Sequence, residues 1–156
     1  MSRPFSGGCA CAAIRYECRA EPVFSWQCHC RDCQRASGGM LCPVMYVPKT
    51  ALTISGRAKY YEVQADSGNA VRRGFCAECG CPVFIDAELV PELMGVWAAS
   101  LDDPNRFAPQ VEVWTASAPT WTCMQPDLPK YERAPNEEQM RHIMAPQAEG
   151  ETGSGS

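Results

Sequence analysis

Seven cysteines of this chain occur at spacings typical of metal ligands. They form a CxC pair, a CxCxxC triplet and a CxxC pair, namely Cys9 and Cys11, then Cys28, Cys30 and Cys33, then Cys76 and Cys79. A short loop between two thiols lets both sulfur atoms reach one ion at about 2.3 Å, and zinc favours four such ligands in a tetrahedron. The two pairs would together complete one closed zinc site, which we predict to be structural.

The triplet would supply three thiolates and leave one coordination position free, which is the pattern of a reactive zinc. An ion of this kind suits a substrate thiol, because it removes the thiol proton and holds the sulfur. We therefore predict that Cys28, Cys30 and Cys33 form the reactive centre of the protein.

Several polar residues near the triplet are candidates for substrate binding. Arg31 and Arg35 flank the triplet and could orient a carboxylate, although exposed arginines are often simply solvated. Ser37 and the two glycines after it could present donors to a substrate or could merely end a short helix. His29 lies between two predicted ligands and is either a proton shuttle or an imidazole without a catalytic role.

The composition is that of an ordinary globular chain. The sequence has 156 residues, 46% of them hydrophobic, which suits one domain with one core. A net charge of −4 and a pI near 5.2 argue against a broad surface for nucleic acid or anionic membrane. Any anion site must therefore be local.

The eleven cysteines are best explained by a reducing compartment. Residues 1–9 carry no secretory signal pattern, so we expect a cytoplasmic protein whose clustered thiols bind metal. No apolar run approaches the roughly 20 residues that a membrane helix needs. Three cysteines without partners at ligand spacing, and three of the tryptophans, are predicted to be buried in the core: Cys18, Cys42, Cys123, Trp97, Trp114 and Trp121.

The order of apolar and polar residues predicts a mostly β fold with few short helices. The predicted strands are 12–17, 43–47, a pair within 51–63 around Ser55 and Gly56, then 83–85, 95–98 and 111–114. The predicted helical segments are 32–38, 91–93 and a C-terminal helix to residue 144 that starts from a cap at Asn136. We expect one domain over residues 1–145 and a disordered tail over 146–156, whose final Gly-Ser repeat is typical of an expression linker.

The ordered set of motifs resembles the glutathione-dependent formaldehyde-activating enzyme family. GGCAC is followed by IRYE, then CHCRDCQRASGG, RRGFCAECGCPVF, PQVEVWTASAPTW and LPKY. The resemblance extends over most of residues 6–131. It implies a complex β fold like that of Mss4-related zinc proteins, with zinc-binding knuckles.

The resemblance also implies the ligands and the chemistry. It implies a structural zinc at the first and last cysteine pairs and a labile zinc at the triplet. Glutathione and formaldehyde would be the substrates and S-hydroxymethylglutathione the product, in a reaction classed with the carbon-sulfur lyases. Family members need not share one substrate, because fold and family do not fix the chemistry.

Two alternatives to this enzyme remain open in the sequence. Cys81 could close the second site as an eighth thiolate, and the protein would then be a structural zinc module that binds a macromolecular partner. A redox enzyme would need a reactive cysteine outside the metal sites, and Cys123 is the only late candidate, with no adjacent cation to lower its pKa. The sequence leaves the oligomeric state undetermined.

Overall fold

The computed structural model of the chain describes residues 3–146, and β-strands supply most of its regular structure. The strands are β1 Phe5–Gly8, β2 Arg15–Cys18, β3 Phe24–Cys28, β4 Cys42–Pro48, β5 Leu52–Ser55, β6 Lys59–Gln64, β7 Ala70–Phe75, β8 Pro82–Ala87, β9 Leu93–Trp97 and β10 Val111–Val113. The α-helices are α1 Arg31–Ser37 and α2 Glu137–Met144, and four single 3-10 turns complete the regular structure of this range. The prediction of a mostly β fold with few short helices is confirmed.

The strands form two sheets of unequal size. Seven lie in one sheet in the order β10-β3-β4-β9-β8-β7-β6, and three form a smaller sheet in the order β1-β2-β5. Neighbouring strands run antiparallel except β10 and β3, which are parallel. The large sheet carries the cysteine triplet at the end of β3, and both sheets contribute to the site of the two cysteine pairs.

The central strands of the large sheet are buried on both faces. In β4, Met45 and Val47 pack into one apolar cluster, whereas Val44 and Tyr46 pack into a second on the opposite face. Alternate residues of a strand point to opposite faces, so this arrangement needs an unbroken apolar run. The second cluster is the one that contains two cysteines of the triplet.

The two strands predicted within residues 51–63 exist but do not pair with each other. Gly56 ends β5 with φ +87°, and a Cβ added there would lie 1.9 Å from the carbonyl oxygen of Ala13. The turn is therefore packed against the loop that follows Cys11, so β5 pairs with β2 and β6 pairs with β7. The predicted pairing was wrong because a turn signal marks where a chain bends, not which strand becomes its neighbour.

Other elements also differ from the expectation. The predicted helical turn at 91–93 is absent, because Leu93 begins β9, in which all five residues are buried. Strands β1, β3 and β7 were not predicted, since glycine, serine and arginine interrupt their apolar pattern. Burial by neighbouring strands compensates for this weak local preference.

Both helices begin at a residue whose side chain caps the first turn. Asn136 and Gln139 form a reciprocal capping box at the start of α2, which confirms the predicted cap. In α1 the N-cap is Cys30, whose Sγ accepts the amide hydrogen of Cys33 at 3.3 Å. Gly38 closes α1 with φ +70°, a conformation that favours glycine.

The longest helix of residues 3–146 has eight residues, so none of the helices in this range could span a bilayer. The prediction of one domain over residues 1–145 remains a prediction, as does cytoplasmic location. The predicted tail lies outside the described residues, apart from Pro146.

Candidate functional site

The four cysteines of the two pairs meet at the junction of the two sheets. Cys9 and Cys11 lie in the turn after β1, whereas Cys76 and Cys79 lie in the loop that joins β7 to β8. The Sγ atoms of all four lie within 4.8 Å of one another. Sixty-five residues separate Cys11 from Cys76, yet their Sγ atoms are 3.6 Å apart. This cluster therefore links the small sheet to the large one.

Backbone amides surround the sulfur atoms of this four-thiol cluster. The amide of Ile14 donates to Cys9 Sγ at 3.2 Å. The amides of Cys81 and Cys11 donate to Cys79 and lower the pKa of that thiol to about 6. Hydrogen bonds to a thiolate favour its charged form, which is the form that binds metal. The loop backbone is thus arranged for anionic sulfur.

The triplet forms a separate cluster at the other end of the large sheet. Cys28 ends β3, Cys30 caps α1 and Cys33 lies in the first turn of that helix. Their Sγ atoms also lie within 4.8 Å of one another, and Cys28 and Cys33 are buried. The amide of His29 donates to the carbonyl oxygen of Val113 at 3.0 Å, which anchors the triplet loop to β10.

Cys33 is the most anionic thiol of this three-thiol cluster. Hydrogen bonds from Cys28 and Cys30 hold the pKa of Cys33 well below its usual range. The thiol of Cys42 and the positive charge of Arg73 act in the same direction. Arg73 Nη2 lies 3.5 Å from Cys33 Sγ, and the Nε and Nη1 atoms of Arg73 are buried without a hydrogen-bond partner within residues 3–146. Sequence reasoning missed both Arg73 and Cys42 as neighbours of the triplet.

No local pattern in the sequence places Arg73 at the triplet, because β7 was not predicted. Arg72 and Arg73 are consecutive in β7, so their side chains point to opposite faces of the sheet. Arg72 pairs with Asp86 and lies over the ring of Tyr60. Of these two arginines, Arg73 is the one that lies on the face of the triplet.

The three-thiol cluster opens into a pocket of about 400 Å³, which we call the apolar pocket. Its walls come from α1, α2 and the strands β3, β4, β6, β7 and β8. Trp26 and Trp114 line it and are half-buried, and Tyr46 lines it from β4. Burial raises the pKa of Tyr46 well above its usual range, so its phenol stays protonated.

The predicted substrate-binding residues fall in different places. Arg31 lines the apolar pocket, where its guanidinium is hydrogen-bonded to Gln34. Arg35 is exposed and does not line the pocket. The Ser37 hydroxyl donates to the carbonyl oxygen of Gln34 and accepts from the amide of Gly39, so it helps to end α1. Their binding roles remain predictions.

His29 faces away from the apolar pocket. It is fully buried, with its Nε2 atom 3.6 Å from Oε1 of the equally buried Glu112. Lys130 Nζ lies 3.9 Å from the other carboxylate oxygen. Neither ring nitrogen of His29 has a hydrogen-bond partner among the described residues. A proton shuttle would require access to the pocket, which this position does not provide.

The remaining cysteines divide between core and surface. Cys18 and Cys42 are fully buried as predicted, whereas Cys123 is exposed, so its predicted burial was wrong. Cys81 lies beside the four-thiol cluster, where its amide donates to Cys79. It is not part of the three-thiol cluster. Of the three tryptophans predicted to lie in the core, Trp97 is fully buried and Trp114 is half-buried, whereas Trp121 is 69% exposed, so its predicted burial was wrong.

Both thiol clusters could hold a metal ion, and their chemistry is consistent with zinc. Four sulfur atoms at 2.3 Å from a tetrahedral zinc would lie about 3.8 Å from one another. The Sγ atoms of Cys9 and Cys11 are 3.6 Å apart, close to that spacing. A set of thiolates without carboxylates favours zinc over magnesium or calcium.

Fold and clusters together define a mostly β protein with two cysteine centres suited to metal. The chain belongs to the glutathione-dependent formaldehyde-activating enzyme family, whose sequence pattern matches residues 4–117. This match contains both cysteine pairs, the triplet and Arg73.

Among solved structures, the fold is similar to a crystal structure of a Rhodobacter sphaeroides protein from a structural genomics programme. The two share 17% sequence identity with a TM-score of 0.52, over 81% of this chain and 98% of that one. At this identity the similarity concerns the fold alone. Comparison with curated proteins gave no match.

Proposed function

We propose that the protein is a zinc-dependent enzyme that adds glutathione, or a similar small thiol, to formaldehyde or another small aldehyde. The product is an S-hydroxymethyl adduct, and the reaction belongs with those of the carbon-sulfur lyases. The observation that carries this proposal is a cluster of three thiols within 4.8 Å of one another that lines a pocket large enough for a small thiol and an aldehyde. The thiol of Cys42 is hydrogen-bonded to Cys33 but does not meet this mutual spacing, so it does not complete a set of four ligands. Membership of the family supports the substrates.

The two clusters would have different roles. Cys9, Cys11, Cys76 and Cys79 would hold a structural zinc, because four thiolates complete a tetrahedron and this cluster joins the two sheets. Cys28, Cys30 and Cys33 would hold the second, labile zinc. That zinc, with a free position, would supply a Lewis acid that lowers the pKa of a substrate thiol.

Within residues 3–146, Cys81 offers no eighth ligand to the triplet, because it lies at the four-thiol cluster. This placement favours an open second site over a closed structural one. It therefore also favours an enzyme over a purely structural zinc module.

Three residues of the pocket would stabilise the negative charge of the thiolates, donate to the carbonyl oxygen of the aldehyde and orient the thiol. Arg73 would balance the negative charge that gathers at Cys33 when a thiolate arrives. The phenol of Tyr46 makes no hydrogen bond to another described residue, so it could donate to the carbonyl oxygen of the aldehyde. Arg31 would orient a carboxylate of the thiol.

The proposed step is balanced without a redox partner. The thiol sulfur forms a bond to the carbonyl carbon, and the carbon–oxygen π bond breaks. The proton lost by the sulfur ends on the new hydroxyl oxygen. The role of the protein is then to hold the two reactants together and to stabilise the charge on sulfur and oxygen.

Exchange NMR of glutathione and formaldehyde tests this proposal, because it measures the rate of adduct formation at equilibrium. We expect the zinc-loaded protein to raise this rate above the uncatalysed rate. Cys30→Ser should abolish the increase, whereas Cys123→Ser, which changes an exposed cysteine outside both clusters, should retain it. An exchange rate equal to that of the uncatalysed reaction, in protein with two bound zinc ions, would refute the proposed activity.

A further inference from the structure

The apolar pocket is larger and more apolar than formaldehyde requires. Of its 24 lining residues, 14 are aliphatic or aromatic, three are the cysteines of the triplet and seven are polar. Formaldehyde has no apolar group to place against such walls. The walls therefore indicate a reactant with an apolar body.

The seven polar residues of the pocket fall into two groups according to the elements that carry them. One group comes from α1, from β7 and from the segment after β10, and it comprises Arg31, Asp32, Arg73 and Ser117. The other comprises Asp66, Ser67 and Asn69 in the turn between β6 and β7, where Asp66 and Ser67 are exposed. Charged parts of a thiol such as glutathione can be bound by these two groups. The apolar residues of the lining remain for a different part of the substrates.

The apolar walls are built from several strands rather than from one mobile side chain. Val44 and Ile85 are buried in neighbouring parts of the large sheet, and Val71 lies on β7 with Arg73 on the same face. Leu89 lines the pocket although its side chain is 64% exposed. An exposed leucine beside a pocket is apolar surface that a bound ligand would cover.

Trp114 forms part of these walls through an uncommon backbone conformation. Its φ is +58°, in the left-handed region that bulky residues rarely adopt. The amide of Thr115 donates to Tyr131 at 3.1 Å and that of Ser117 donates to Trp114 at 3.0 Å, which holds this conformation. Strained residues of this kind cluster at ligand sites.

We infer that one reactant of the proposed reaction carries an apolar alkyl or aryl group, which packs in the apolar pocket while its reactive head lies at the three-thiol cluster. The inference rests on the proposed function for the identity of the head. The apolar group belongs either to the aldehyde or to the thiol. In both cases it would contact the same apolar residues of the pocket.

Two series of substrates distinguish these sources. In the first, glutathione is held constant and the aldehyde is lengthened from ethanal to butanal and hexanal. In the second, formaldehyde is held constant and the thiol is lengthened from ethanethiol to hexanethiol. Burial of one methylene raises kcat/KM by about fourfold, so we expect a rise of that size per carbon in one of the series. Suppose that formaldehyde and glutathione are turned over, but kcat/KM stays constant or falls with chain length in both series. That result would overturn the inference but not the proposed function.

A pair of matched variants locates the effect. Val71→Asn places a polar group in the apolar pocket, and Ile54→Asn makes the same kind of change at an exposed strand position of the small sheet. We expect Val71→Asn to reduce the gain per methylene below about twofold and Ile54→Asn to leave it unchanged. Because the gain is a ratio within one variant, a general loss of activity does not affect it. An unchanged gain in Val71→Asn would place the apolar group elsewhere and contradict the inference.

If no pair of substrates is turned over, binding of unreactive alcohols tests whether the apolar pocket takes an alkyl chain. Butanol, hexanol and octanol are titrated into the zinc-loaded protein, and tryptophan fluorescence is recorded, since Trp26 and Trp114 line the pocket. Affinity that increases by about fourfold per methylene, and that Val71→Asn weakens, would support the inference while the proposed activity fails. Affinity without dependence on chain length would refute it.

Discussion

The Nη2 atom of Arg73 lies 3.5 Å from the Sγ atom of Cys33, although 40 residues separate the two in the chain. Strand β7 thereby delivers a positive charge to a cluster that otherwise consists of thiols. Charge of opposite sign at this distance stabilises a thiolate. Removing the charge should therefore weaken both the metal site and the binding of an anionic thiol.

We predict that Arg73→Met raises the rate of zinc transfer to a chelator by about tenfold or more, for one of two zinc equivalents. Arg72→Met is the matched control, because Arg72 lies on the opposite face of the same strand and pairs with Asp86. Arg73→Lys should lose zinc more slowly than Arg73→Met, since lysine keeps the positive charge. Equal transfer rates for wild type, Arg73→Met and Arg72→Met would contradict this role.

Tyr46→Phe tests the proposed donor in the pocket. The ring of Tyr46 stacks on Phe24 at 4.5 Å, so phenylalanine keeps the packing and removes only the hydroxyl. We expect kcat to fall by about a hundredfold or more while thermal stability stays constant, as for a hydrogen-bond donor aimed at developing charge. An unchanged kcat would show that another group donates to the carbonyl oxygen.

Substitution of one cysteine of the four-thiol cluster should lower stability more than substitution of an exposed cysteine outside both clusters. Cys76→Ser should remove one zinc equivalent and lower Tm by roughly 10 °C or more, because metal affinity at a structural site is folding free energy. Cys123→Ser, at an exposed position, should leave zinc content and Tm unchanged. Metal analysis and calorimetry on the same samples measure both quantities. A full zinc complement in Cys76→Ser would exclude Cys76 as a ligand.

Ala12 offers a test of the loop that carries Cys11. Its φ is +62°, which is unfavourable for alanine and free of strain for glycine. Ala12→Gly should raise the free energy of unfolding by up to about 1 kcal/mol. Ala13→Gly, in the same loop without positive φ, should lower it by roughly 0.4–1 kcal/mol. Urea unfolding measures both changes, and destabilisation by Ala12→Gly would show that the strain is absent in solution.

The pair of Arg15 and Asp102 predicts a dependence of stability on pH. Two hydrogen bonds from Arg15, at 2.8 and 2.5 Å, and one from Ser6 lower the pKa of Asp102 from its usual 3.8 to about 2. The folded state therefore favours the carboxylate. Its contribution is complete above pH 3.8 and is lost as the pH falls towards 2.

Asp102→Asn isolates this contribution. The variant should be less stable than wild type at pH 7, and the difference should shrink as the pH falls below about 4. Asp127→Asn, at an exposed aspartate, should show no comparable difference. Urea unfolding between pH 7 and pH 3 measures the difference in free energy of unfolding between each variant and wild type. A difference between Asp102→Asn and wild type that stays constant over this range would contradict the lowered pKa.

Local sequence was sufficient for several parts of this protein. The spacing of Cys28, Cys30 and Cys33 brings their sulfur atoms together because one strand end and one helix turn contain all three. The Asn136 cap was also predictable, since a capping box involves residues only three apart. The apolar run in β4 likewise indicated a buried strand.

Only tertiary structure decided which distant residues meet. The chain order does not show that β7 presents Arg73 to Cys33. It also does not show that β5 pairs with β2 and not with β6, the next strand in the chain. The same holds for the apolar pocket, whose walls come from several strands and from α2. Spacing along the chain determines chemistry within one loop or turn, whereas contacts across sheets depend on pairing and burial summed over the whole fold, which no short segment encodes.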